Sequence, residues 1–155
     1  MKIIDYLDEN RIKINLEART KDGILEELAK LFLNGNIIDS ENMNEFIKDL
    51  KDREKLSSTG LQDGVAIPHA KSEAVNKLAL AIGTIKDGVE FDCMDGGVSK
   101  IFFMIAAPEN TKNEHLDLLA EISNLSYDED FLEKLENSET SQELLDLLKD
   151  WPPPS

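Results

Sequence analysis

Along the chain the apolar residues change period several times, and each change marks an element. In RIKINL, Ile12, Ile14 and Leu16 alternate with polar neighbours, the period of a half-buried strand. From Thr20 the spacing turns helical: Ile24, Leu25, Leu28, Leu31 and Phe32 share a face, with Thr20 placed as N-cap and Asn34-Gly35 as the stop. A second helix is predicted after Ser40, running to about Lys55 with Met43, Phe46, Ile47 and Leu50 on one side. Ser57 to Gly64 is turn chemistry, closed by the tight Asp63-Gly64 step. Val65 to Ile67 then reads as a short strand stopped by Pro68, which has no N–H for a ladder. His69 is thereby expected just beyond a strand end, in a loop.

Two longer strands are predicted at Leu78–Ile85 and Val98–Ala106. The second is apolar almost throughout, as a central strand buried on both faces would be. Between them, Lys86-Asp87-Gly88 and Asp95-Gly96-Gly97 predict turns, leaving room for a short Val89-Glu90-Phe91 strand. Beyond Pro108 the pattern is helical: Glu114–Leu125, then a shorter Tyr127–Leu135, then a helix opening at Thr140 with Glu143 set to close a capping box. The final Trp-Pro-Pro-Pro-Ser cannot continue a helix and reads as the start of a linker over residues 151–155. Strands mixed with helices predict a single layered α/β domain over residues 1–150, its sheet covered by helices.

Composition narrows the function more than the fold. The 155 residues suffice for a sizeable core. A net charge of −15, from 32 acids against 17 bases, argues against nucleic acid, whose phosphates demand a basic stripe. That acid either solubilises the surface or steers a basic partner. The longest apolar run, IFFMIAAP, falls well short of the roughly 18 residues of a membrane span, so no direct membrane insertion is expected. The charged N-terminus lacks a secretory core, and Cys93 is the only cysteine, both fitting a reducing, cytoplasmic setting.

The candidate chemistry centres on His69 and His115, the only two imidazoles. Each follows the C-terminal end of a predicted strand, where open α/β sheets build their sites. If those strands are parallel neighbours, the two rings meet at one edge of the sheet. Taken singly, either could be an exposed loop imidazole or one satisfying a backbone group. Zinc usually takes three or more protein ligands, and no cysteine set or close-spaced histidine pair supplies them, so no metal is expected. No GxSxG elbow or nucleotide-binding glycine motif is present, no carboxylate pair stands out, and Cys93 in FDCMDGG reads as a packing residue. Imidazole as nucleophile remains: a neutral ring nitrogen can accept a phosphoryl group and release it, given alignment and donors for its oxygens. His115, in a helix first turn, could supply a donor beside backbone N–H groups that favour an anion. Arg53 is either a charge partner for that group or one half of a helix-surface ion pair with Asp49, Asp52 or Glu54.

Arg53-Glu54-Lys55-Leu56, Ser58-Thr59-Gly60 and Gly64-Val65-Ala66-Ile67-Pro68-His69 together resemble the REEL-STGIGNGIAIPHG signature of enzyme IIA domains. These belong to the bacterial sugar phosphotransferase system, fructose/mannitol class, which includes a nitrogen-regulatory branch. Ala106-Ala107-Pro108-Glu109 through Glu114-His115-Leu116 and Leu118-Leu119 is similar to that family's second histidine segment, and the order of elements follows it from about residue 2 to 149. The resemblance implies a mixed, roughly five-stranded sheet flanked by helices and no cofactor. It implies phosphorylation of His69 by the carrier protein HPr and transfer onward to a cysteine of a IIB domain, with the membrane IIC component involved only indirectly. His115 would help hold the phosphoryl group and Arg53 would support the site. Ala70-Lys71 replaces the common Gly-Lys or Gly-Thr, and the glycine loop reads LQDG; neither change removes a reacting group. A regulatory protein of the nitrogen type, or a silent interaction domain, are the competing expectations, and the proline-rich end leans towards a IIA unit joined to IIB.

Overall fold

The most apolar stretch of the chain becomes the interior of a sheet. In the computed structural model, which describes residues 2–152, the strands are β1 (Ile12–Lys13), β2 (Val65–Ala66), β3 (His69–Ser72), β4 (Ala79–Glu90) and β5 (Val98–Pro108). The helices are α1 (Lys21–Ala29), α2 (Met43–Leu56), α3 (Glu114–Ser126), α4 (Glu129–Glu136) and α5 (Ser141–Lys149). The sheet order is β1-β4-β5-β2, with β3 also paired to β5. β4 and β5 are antiparallel, whereas β1 on β4, and β2 and β3 on β5, are parallel. This is the single α/β domain with a mixed five-stranded sheet that the resemblance implies. No helix among the described residues is long and apolar enough to cross a membrane.

Alternation along β5 explains its composition. Phe102, Met104 and Ala106 face a core with α1 and α2, built on Ile24, Leu28, Phe46 and Leu50. Ile101, Phe103 and Ile105 face a second core with α3, α4 and α5, built on Leu118, Ile122, Leu132 and Leu144. Both sides of the strand are dry, so neither can be polar. The helix starts follow the sequence reading: Thr20 Oγ1 accepts from Gly23 N–H at 3.1 Å, and Thr140 Oγ1 from Glu143 N–H at 3.1 Å.

Two predicted boundaries move, and one residue expected on the polar side is buried. The strand expected over RIKINL shrinks to Ile12–Lys13, because Asn15 takes φ 60° and turns the chain out of the ladder. Arg11, expected on the polar side, is buried and donates to the carbonyls of Leu80, Asn34 and Tyr6, tying the N-terminal turns to β4. Lys86-Asp87-Gly88, expected to separate two strands, is instead an irregularity within β4 between Thr84 and Val89, and of the expected Val89-Glu90-Phe91 strand Val89 and Glu90 supply that strand's end while Phe91 lies just beyond it. Gly88, at φ 75°, absorbs the extra residues. Of the predicted linker over 151–155, residues 153–155 lie outside the described residues.

Packing is tight where α1 crosses β4. A Cβ on Gly83 would sit 2.6 Å from Leu16 Cδ1 and 2.8 Å from Leu28 Cδ2, both in leucines that are fully buried. Gly83→Ala is therefore expected to overpack this layer and cost about 1–3 kcal/mol. A lowered denaturant midpoint with an unchanged slope would report it; a midpoint equal to that of the parent would mean the leucines have room to move.

Candidate active site

Pro68 interrupts the sheet edge without changing its course. Val65 registers with Ile101 and Ala66 with Phe102 in β2; after the break, His69 registers with Ile105 and Ala70 with Ala106 in β3. The register is the same on both sides, so β2 and β3 are one line of strand with a two-residue gap. Ile67 N–H turns away to the Thr59 carbonyl at 3.0 Å, and the Pro68 carbonyl accepts from Ile105 N–H at 2.9 Å. His69 therefore opens a strand rather than sitting in a loop. A proline removes one donor from a ladder, but the residues after it remain free to resume pairing with the same neighbour.

At that edge the two helical layers come together. α2 from one side and α3 from the other flank β3, enclosing a cavity of about 350 Å³. Arg53 and Asp49 reach it from α2, His69 and Lys71 from β3, His115 from the first turn of α3. The walls are apolar, from Ile105, Ala107, Leu116 and Leu119. Two of the large apolar side chains at the rim, Leu56 and Leu116, are 82% and 52% exposed. All three residues singled out in the sequence, His69, His115 and Arg53, thus meet in one place, because β2 and β5 are parallel neighbours.

The chemistry of each group follows from its partners. His69 Nδ1 lies 2.7 Å from the Ile67 carbonyl oxygen. A carbonyl only accepts, so Nδ1 carries the proton and Nε2 keeps its lone pair. Burial holds the His69 pKa below its ordinary value; the Ile67 bond opposes this, the Arg53 charge adds to it, and Glu54 opposes it. The ring is therefore neutral at neutral pH. His115 is also held low, by burial first and then by the Lys71 and His69 charges. Its Nδ1 is buried with no hydrogen-bond partner. A proton there would be an orphaned donor, so the neutral ring keeps its proton on Nε2.

Arg53 does not form the ion pair with Asp49, Asp52 or Glu54 that its helix position allowed. Its Nη1 donates to the Ser57 carbonyl at 2.8 Å, closing the end of α2, while Asp52 pairs with Lys48 at 2.8 Å. Cys93, expected to pack, lies half-buried against the first core with Sγ 3.0 Å from Ser99 Oγ.

Sequence reading missed Lys71. It stands two residues after His69, so in a strand it projects from the same face, and it has no ion pair among the described residues. Placing His69 in a loop hid that period-2 relation. The N-terminus of α3 is similarly open: Asn113 at its N-cap makes no side-chain bond to the first turn, leaving N–H groups available beside His115. A neutral nucleophilic nitrogen, an N–H donor opposite it and two cations at a half-enclosed edge suit a small tetrahedral anion.

The family described as "Phosphoenolpyruvate-dependent sugar phosphotransferase system, EIIA 2" matches residues 5–151. The chain belongs to that family. It is a phosphotransferase component. Over 149 residues, 96% of this chain, it is 36% identical to a fructose-specific EIIABC component of Bacillus subtilis. The match spans only 23% of that relative, so the chain corresponds in length to about a quarter of it. Among solved structures, nitrogen regulatory protein IIA-Ntr from Neisseria meningitidis superposes with a TM-score of 0.83 at 28% identity, covering 93% of this chain and 97% of that one. The mannitol enzyme IIA in its Escherichia coli complex with phosphorylated enzyme IIB gives 0.78 at 25% identity, covering 92% and 96%. The enzyme IIA fold thus covers more than nine-tenths of the chain, and sugar-specific and nitrogen-regulatory relatives lie at comparably low identity.

Proposed function

We propose that residues 1–150 are a cytoplasmic phosphocarrier unit in sugar uptake, accepting a phosphoryl group from phospho-HPr on Nε2 of His69. The observation that carries this reading is the His69 Nδ1 bond to the Ile67 carbonyl at 2.7 Å, which leaves Nε2 as the nucleophile in the cavity. The Nε2 lone pair attacks phosphorus in line; a new P–N bond forms as the P–N bond to the donor's histidine breaks, and the electron pair returns to the departing imidazole. The arriving dianion meets His115 Nε2–H, Lys71, Arg53 and the open first turn of α3. In the second half a cysteine thiolate of a IIB domain attacks phosphorus, a P–S bond forms, and His69 leaves as neutral imidazole. A complex of an enzyme IIA with phosphorylated enzyme IIB supports that partner.

The surroundings suit a basic donor. Beside the cavity, Glu109 is held above the ordinary carboxylate range by its hydrogen bond and charge contact with Glu73, with Asp49 and Glu45 adding to the repulsion. Positive charge docked there relieves this crowding. A fructose-type sugar is the favoured destination, from the Bacillus relative. The nitrogen-regulatory reading rests on the 0.83 superposition with IIA-Ntr, and it keeps the same phosphoryl acceptance but uses it to switch binding.

The test is labelling with phosphoenolpyruvate, enzyme I and HPr, followed by acid and base treatment. An acid-labile, base-stable phosphate on this chain is expected; no label would sink both phosphocarrier readings. Neighbouring IIB and IIC genes would favour transport, and a neighbouring nitrogen sigma-factor gene would favour regulation.

The lowered His69 pKa adds a pH prediction. An unfolded histidine takes its proton near pH 6.5, whereas the folded ring resists it. The associated stability is therefore fully present above about pH 6.5 and is lost as pH falls through the lower folded value. Titration of the His69 ring protons by NMR should give a midpoint below about 6.5, with phosphoryl uptake flat through neutral pH. A midpoint above that value would remove the neutral nucleophile.

A further inference from the structure

A run of hydrogen bonds leads from His69 to a carboxylate that does not line the cavity. Glu54 lies on α2 beside Arg53, yet it is buried, only 8% exposed. Its oxygens accept from Thr59 N–H at 3.2 Å and from the Thr59 hydroxyl, and Lys21 Nζ pairs with it at 2.9 Å. Lys21 is itself fixed over the Phe91 ring, 4.8 Å from its centroid. The Thr59 carbonyl in turn accepts from Ile67 N–H at 3.0 Å, and the Ile67 carbonyl is the group that holds His69 Nδ1. Between Ile67 and His69 stands Pro68, whose ring fixes φ and leaves little freedom in the step.

We propose that Glu54, pinned by Lys21, is a positioning residue for the phosphoryl acceptor: it anchors Thr59, Thr59 anchors Ile67, and the Ile67 carbonyl holds the His69 proton on Nδ1. This rests on the reading of His69 as the acceptor. The coupling is one of position, since successive bonds run through different peptide planes. Without Glu54, Thr59 N–H is a buried donor with no partner, and the segment between β2 and β3 that carries the Ile67 carbonyl loses its outer support. The imidazole then samples its other tautomer, in which the proton occupies Nε2 and the lone pair faces away from the cavity.

The test reads the tautomer and the transfer separately. Long-range proton–nitrogen NMR spectra of the ¹⁵N-labelled protein at neutral pH should show His69 protonated on Nδ1. In Glu54→Ala the two tautomers should be mixed, with phosphoryl uptake from phospho-HPr slowed about 10- to 100-fold. A merely structural Glu54 would lower the denaturant midpoint and leave the proton on Nδ1. Folded E54A with the parental tautomer and rate would overturn the proposal. Should E54A lose its dispersed amide spectrum, Glu54→Gln decides instead. Its amide oxygen can still accept from Thr59 but carries no charge to hold Lys21, so an intermediate mixture is expected, and a His69 spectrum identical to the parent's overturns the idea. A tautomer shift in a protein whose parent takes up no phosphate would support the positioning role and remove the phosphocarrier reading.

Discussion

His69→Ala is expected to abolish phosphate labelling, while His115→Ala and the parent protein both become labelled. Forming the P–N bond needs a neutral nitrogen lone pair facing the cavity, and His69 provides it because Ile67 occupies the other nitrogen. Of the remaining groups in the cavity, Arg53 and Lys71 are cationic, Asp49 is an anion that repels phosphate, and His115 keeps its proton on Nε2 because Nδ1 is buried without a partner. Alanine also leaves the fold intact, since His69 is only half-buried and its backbone keeps the register with Ile105. Label surviving in His69→Ala at the parent's level would place the acceptor elsewhere. Unchanged thermal unfolding in the same variant would show that the loss is chemical.

His115→Ala should separate the two halves of the reaction. Uptake is expected to stay within about 10-fold of the parent, whereas transfer to a IIB cysteine should slow about 100-fold, the scale of losing one preorganised donor. The asymmetry comes from charge. In the proposed uptake step HPr delivers an already bonded phosphoryl group from a neutral leaving imidazole. The thiolate must instead approach a phosphoryl dianion as an anion itself, so each donor on the phosphoryl oxygens matters more in that step. Single-turnover quench experiments on the purified phosphoprotein would measure both rates. Equal slowing of uptake and donation would mean that His115 acts on the transition state common to both steps. Normal donation would refute its role.

How far the site could be read from the chain differs residue by residue. His69, His115 and Arg53 stood out because imidazoles are rare here and the surrounding motifs are dense with turn and strand signals. Glu54 did not. In sequence it is one acid in a charged helix end, and only packing shows that it turns inwards to Lys21 while Arg53 turns to the cavity. Lys71 was hidden by a different error, the assumption that Pro68 ends the strand, which removed the alternation that would have paired it with His69.

The periodicities by themselves determined the layered α/β class, the central place of Val98–Ala106 and most helix starts, since these depend on burial patterns and caps that span a few neighbouring residues. Boundaries set by backbone exceptions, such as the turn at Asn15 and the irregularity at Gly88, were decided only by the assembled sheet. So was the candidate site. His69 and His115 are 46 positions apart, and local pattern holds no information about which strand pairs with which. Parallel pairing of β2 and β3 with β5 brings them together, and the bond from Ile67 then leaves Nε2 of His69 with the free lone pair.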